Sequence, residues 1–100
     1  MTSRRPDGVM AVTLVKVMGG RIVRADHFYK EVTRLLEEFK DGVHLERVLD
    51  SLGRVDFTVI YWADSLDTVV RFSTGIREIE GVADTETIVG EEVYAARQRS

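Results

Sequence analysis

At 100 residues, 44% hydrophobic and 31% charged, the chain is one domain of ordinary globular composition with room for only a small core. Its formal charge of −3 and pI of about 5.4 argue against a primary nucleic-acid binder, because phosphate neutralisation needs clustered Lys and Arg. With no cysteine there are no disulfides, no thiol catalysis and no Cys-ligated metal, which fits an intracellular, cytoplasmic protein.

Residues 1–8 are polar and contain the single proline, so they read as a disordered lead-in. Pro6-Asp7-Gly8, the internal Lys16 and the lack of a small-residue cleavage site speak against reading the Arg4-Arg5 pair as a twin-arginine export signal. No apolar run approaches the roughly 18 residues needed to span a bilayer. From Val9 to Met18 a β-prone run sets Val9, Ala11, Val15 and Val17 against Met10, Val12 and Leu14. It is apolar on both sides and therefore a central strand. Gly19-Gly20 ends it in a plain turn, because Arg21-Ile22-Val23-Arg24 follows where a phosphate loop would open directly into a helix.

Asp26 is the expected N-cap of a helix through Lys40, with Phe28, Val32, Leu35, Leu36 and Phe39 at helical spacing and Gly42 as its stop. Val43 to Leu49 reads as a strand with His44, Glu46 and Arg47 interleaved, hence an edge or a strand facing a partner. Leu49 to Arg54 carries the turn formers of a hairpin. The next strand alternates Phe57, Val59, Tyr61 and Ala63 with Thr58, Ile60 and Trp62, apolar above and below. Asp64-Ser65 caps a second helix with Leu66, Val69, Val70, Ile76 and Ile79 as its buried stripe and Gly81 as its stop. Gly75 within it marks close packing of helix on sheet or a local break. Ala83 to Val89 is the last long strand, Glu91 onward a short strand, and 95–100 a tail. The order is that of an α+β, ferredoxin-like βαββαβ sandwich: an antiparallel sheet with both helices on one face. A second copy of the sheet is the simplest cover for the other face, with Tyr61 and Trp62 as interface anchors of a homodimer.

Two stretches carry a family resemblance. Leu52-Gly53-Arg54-Val55-Asp56-Phe57 is similar to the Gly-x-x-Asp hairpin of the Lrp/AsnC ligand-binding (RAM) domain, and Ile79-Glu80-Gly81-Val82-Ala83-Asp84-Thr85-Glu86-Thr87 to that family's entry into its last strand. The resemblance covers Val43 to Val89 by motif, and 9–94 as a domain. Nothing ahead of Val9 resembles the family's helix-turn-helix, so the likeness is to the stand-alone form. It implies a non-enzymatic sensor of an amino acid or related effector, accessory to transcription regulation by a DNA-binding relative with which it co-assembles. It also implies dimers built into a ring, octamer or decamer, without direct nucleic-acid or membrane contact and without a cofactor.

The candidate ligand-binding residues are Gly53, Asp56, Thr85 and Thr87. Asp56 either meets a ligand amine at the end of the sheet or bonds hairpin backbone groups. Gly53 either serves a positive φ or admits another backbone. Thr85 and Thr87 share a face, where their hydroxyls can bond a ligand carboxylate or simply suit a strand surface. The alternative function is a small dimeric α/β-barrel enzyme, monooxygenase- or isomerase-like, with His27, His44 or Trp62 in a pocket inside each subunit. No acid, base and nucleophile set supports it, and neither histidine has a ligand partner at metal-binding spacing, so no catalytic or metal residue is assigned.

Overall fold

A computed structural model describes residues 8–19 and 24–91. Most of the lead-in, residues 20–23, and the expected final strand and tail from 92 on lie outside the described residues. The elements are β1 (Val9–Val17), α1 (Ala25–Leu36), a 3-10 turn (Lys40–Gly42), β2 (Val43–Asp50), β3 (Phe57–Ala63), α2 (Leu66–Arg77) and β4 (Val82–Gly90). They form an antiparallel sheet in the order β2-β3-β1-β4, which is the ferredoxin-like arrangement. β1 and β3 are central and β2 is an edge strand.

Both helices lie on one face of the sheet and enclose its side chains. Ala11 and Val15 of β1 and Phe57, Val59, Tyr61 and Ala63 of β3 are buried against Phe28, Val32, Val69, Phe72 and Ile76 of the helices. Ring contacts tie the layers together: Phe28 stacks on Phe57 with centroids 4.3 Å apart, and Phe72 meets Tyr61 and Phe39 edge-on at 4.7 and 5.3 Å.

Local chemistry moved two helix boundaries. Arg24, in extended backbone, is the N-cap of α1, without a side-chain cap. Asp26 sits inside the first turn, where its Oδ1 accepts from the backbone N–H of His27 and from Arg24 Nε, and the Arg24 hydrogen bond holds its carboxyl below the ordinary value. At the other end, Glu38 and Phe39 donate to Leu35 and Leu36 O, tightening the last turn, and Lys40 at φ 43° reverses the chain before Gly42 is reached. α2 begins as its sequence foretells: Ser65 Oγ accepts from Thr68 N, and Thr68 Oγ1 donates to Asp64 Oδ1. Gly75 marks contact of helix on helix, since a Cβ there would lie 2.6 Å from Leu35 Cδ1 of α1. Among the described residues no helix is long and apolar enough to cross a membrane.

Candidate functional site

The face of the sheet turned away from the helices has no cover from the described residues. Strand register sets its side chains in rows: His44, Trp62, Met10 and Gly90; then Arg47, Ile60, Val12 and Ile88; then Leu49, Thr58, Leu14 and Glu86. The bulge at Glu46 shifts the alternation of β2 by one residue, so that Arg47 and Leu49 join His44 on this face. The centre is apolar and half-buried, while Leu49 and Ile88 towards the two edges are 43% and 51% exposed. On the usual strand spacings the three rows span roughly 19 by 24 Å, the size of the largest apolar patch on a typical monomer, a patch that is often functional. Trp62 lies on this face.

Tyr61 does not. It is fully buried on the helix side, its ring against Phe72 and its hydroxyl 2.9 Å from Thr13 Oγ1. Its assignment to a dimer interface is therefore corrected: period-2 alternation puts neighbours on opposite faces, so Tyr61 and Trp62 cannot share one. Thr13 Oγ1 also lies 2.9 Å from Thr87 Oγ1, completing a chain of hydroxyls that satisfies a polar spot in the core. Thr13, missed in the sequence because it sits among valines, is the buried centre of that chain.

The expected ligand residues gather at the end of the sheet where β2 turns into β3. Ser51 N donates to Asp56 O, Asp56 N to Val15 O, and Val17 N to Asp56 Oδ2 at 2.9 Å. Asp56 thus fastens the hairpin to the end of β1, at the point where the bulge between Lys16 and Val17 shifts the β1 register. Gly53 sits exposed at the tip with φ +109°, with nothing within 4 Å of an added Cβ, so its conformation and not a close approach accounts for glycine. Thr85 pairs with Val15 across β1 and reaches the same end, while Thr87 is one row further in, opposite Thr13. Asp56 and Thr85 flank β1 from its two sides; Thr87 is drawn into the hydroxyl chain.

The residues of the enzyme alternative do not converge. His44 and Trp62 are cross-strand neighbours on the bare face, whereas His27 is exposed on α1, on the far side of the sheet. A groove of about 440 Å³ runs between α1 and α2 over Leu35 and Gly75. Its arginines are engaged: Arg34 pairs with Glu31 at 3.3 Å, and Arg71 lies 5.3 Å above the Phe39 ring.

No protein-family model matches the chain, and no curated protein matches it. Solved structures do. The chain is similar to TTHA0845 from Thermus thermophilus at 20% identity and TM-score 0.57, over 88% of this chain and 99% of that one. It is similar to FFRP-DM1 at 20% identity and TM-score 0.58, over 83% and 99%. It is also similar to E. coli AsnC at 15% identity and TM-score 0.63, over 99% of this chain but 66% of AsnC. At these identities what is shared is the fold.

Proposed function

We propose that the chain is a non-enzymatic regulatory module that pairs with a second copy through the bare sheet face and binds an amino acid or related metabolite at the seams of the assembly. Its role, on this reading, is to modulate a DNA-binding relative by co-assembly, with dimers built further into an octameric or decameric ring. The observation that carries the reading is the apolar panel of Met10, Val12, Leu14, Ile60 and Ile88, which no described element covers, in a chain whose described helices both pack on the opposite face. Leaving it in water forgoes about 25 cal/mol for every Å² of apolar surface. The ligand and the regulatory role in this reading are supported by the fold shared with AsnC and FFRP-DM1 and by the resemblance of the Gly53–Asp56 and Ile79–Thr87 stretches.

The ligand site assigned on this reading is the hairpin end of the sheet, with Gly53, Asp56, Thr85 and Thr87. A carboxylate offers about four lone-pair positions, so Asp56 can hold Val17 N and still accept from a ligand ammonium group. A Thr hydroxyl can donate to a ligand carboxylate; Thr85 is the nearer, Thr87 already having Thr13 as a partner.

Light scattering on the purified chain, followed by calorimetric titration with each standard amino acid, tests both halves. The expected results are a dimer or a multiple of it, and binding of at least one amino acid that Asp56→Asn weakens tenfold or more without unfolding the protein. A monomer at all concentrations, or an assembled protein that binds none of them, would overturn the reading.

A further inference from the structure

The groove between α1 and α2 lies on the outer side of the helix pair, lined by helix residues and the turn after α2 and by no strand. Two contacts fix its geometry. Gly75 of α2 meets Leu35 of α1; one turn earlier on α2, Arg71 stands over Phe39, one turn later on α1, so the helices run antiparallel. Leu35, Phe39, Gly75 and Ile79 make the lining apolar along its length.

The groove's arginines are engaged, Arg34 with Glu31 and Arg71 with the Phe39 ring, but two of its carboxylates are not. Glu38 and Glu78 are exposed, and among the described residues neither has an ion-pair partner. Each stands at the C-terminal end of a helix: Glu38 just beyond Leu36, where α1 ends, and Glu78 as the C-cap of α2. A carboxylate there adds to the partial negative charge of the helix terminus instead of opposing it. Since the helices are antiparallel, the two termini lie at opposite ends of the groove. Each carboxylate is three residues past the Leu35–Gly75 contact, which sets them roughly 9 Å apart along its length at the usual helical rise. Two unpaired anions in positions that the helix dipoles disfavour, joined by an apolar lining, are a local conflict that a cation at each end would relieve.

We propose that this groove docks a helical segment of a partner protein carrying two cationic side chains two turns apart on one face, with apolar residues between them. Lysine or arginine at positions i and i+7 of a helix are roughly 10 Å apart, which matches the separation of Glu38 and Glu78. Apolar side chains at i+3 and i+4 of the same face then meet Leu35 and Ile79. The rims of the groove are exposed, so it receives side chains presented from a helix laid along it. The surface uses neither the sheet face nor Gly53, Asp56, Thr85 or Thr87, and the proposal stands or falls apart from the ligand reading.

Two fluorescently labelled helical peptides of one composition test it. The first has lysines at i and i+7 with leucines at i+3 and i+4; the second has the lysines moved to the opposite face. In anisotropy titrations of the full chain at low ionic strength, the first should bind, the second about tenfold more weakly, and added salt should weaken the first. Glu38→Gln combined with Glu78→Gln should weaken binding by roughly 2- to 30-fold, the range for losing two exposed charge pairs. The same double variant should melt at a higher temperature than the native chain, because two unfavourable dipole contacts are gone. Weaker binding by a more stable protein is a result that loss of folding cannot produce. Equal binding of the two peptides, binding of neither, or binding unchanged in the double variant would overturn the proposal. So would a double variant that melts lower, which would give the carboxylates to the chain's own fold, or one with an altered oligomeric state in light scattering, which would give the groove to a second copy.

Discussion

Burial pushes the Tyr61 hydroxyl above its ordinary value of 10.0, against the smaller downward pull of its bonds to the threonine hydroxyls. The unfolded chain then releases this proton at a lower pH than the folded one. Stability is full below about pH 10 and falls by about 1.4 kcal/mol per pH unit as pH rises from there through the folded value. Tyr61→Phe should flatten that alkaline loss when urea unfolding is compared near neutrality and above pH ~10. Near neutrality it should cost about 1 kcal/mol, since Thr13 keeps Thr87 as a partner. Asp56 separates charge from acceptor in the same way. Asp56→Ala strands the N–H of Val17 and should cost about 1 to 3 kcal/mol in denaturant unfolding, whereas Asp56→Asn retains an oxygen acceptor and should cost less than half as much. The sequence made Asp56 conspicuous as a hairpin carboxylate, but the strand whose N–H it accepts is 39 residues away along the chain and leaves no local trace.

Helix boundaries and contacts were read from the chain with uneven success, and Gly75 shows why. Its cost to α2 is visible in the sequence, about 1 kcal/mol against alanine; the partner that needs the space is not, because Leu35 lies on another helix. Two effects of opposite sign compete at this position. Alanine gains helix propensity, and its Cβ collides with the end of a flexible leucine, an overpacking that costs about 1 to 3 kcal/mol. Gly75→Ala should therefore be neutral to destabilising by about 2 kcal/mol in the native background. In a Leu35→Ala background, where the obstacle is gone, it should stabilise by about 1 kcal/mol. Thermal unfolding of the four proteins in this cycle measures the coupling, and a Gly75→Ala effect independent of residue 35 would refute the contact. A similar tertiary contest decided α1: Asp26 and Gly42 look like its cap and stop, with the helix reaching Lys40, yet the cap is Arg24 and the helix ends at Leu36, ahead of Lys40, whose positive φ no local preference for lysine announces.

At the scale of the molecule, the alternation along β3 revealed a sheet apolar on both sides but not which side the helices would take. Nothing in Phe57, Val59 and Tyr61 against Thr58, Ile60 and Trp62 breaks that symmetry locally; the break comes from packing, where Phe28 and Phe72 close on Phe57 and Tyr61. The two faces should therefore respond differently to charge. Val12 is half-buried on the bare face, with Ile60 and Ile88 as its cross-strand neighbours. In a lone chain Val12→Lys can extend its ammonium into water, near Glu86, so the helix-side core and the far-ultraviolet spectrum should be unchanged. In a dimer the same substitution traps two ammonium groups against apolar partners, at a cost of several kcal/mol each unless the sheets separate. The expected outcome is a folded monomer by sedimentation whose melting temperature has lost its dependence on protein concentration. The corresponding charge on the other face, Val59→Lys, enters the enclosed core and should abolish cooperative unfolding. If Val12→Lys instead associates as the native chain does, the bare face is not where the copies meet.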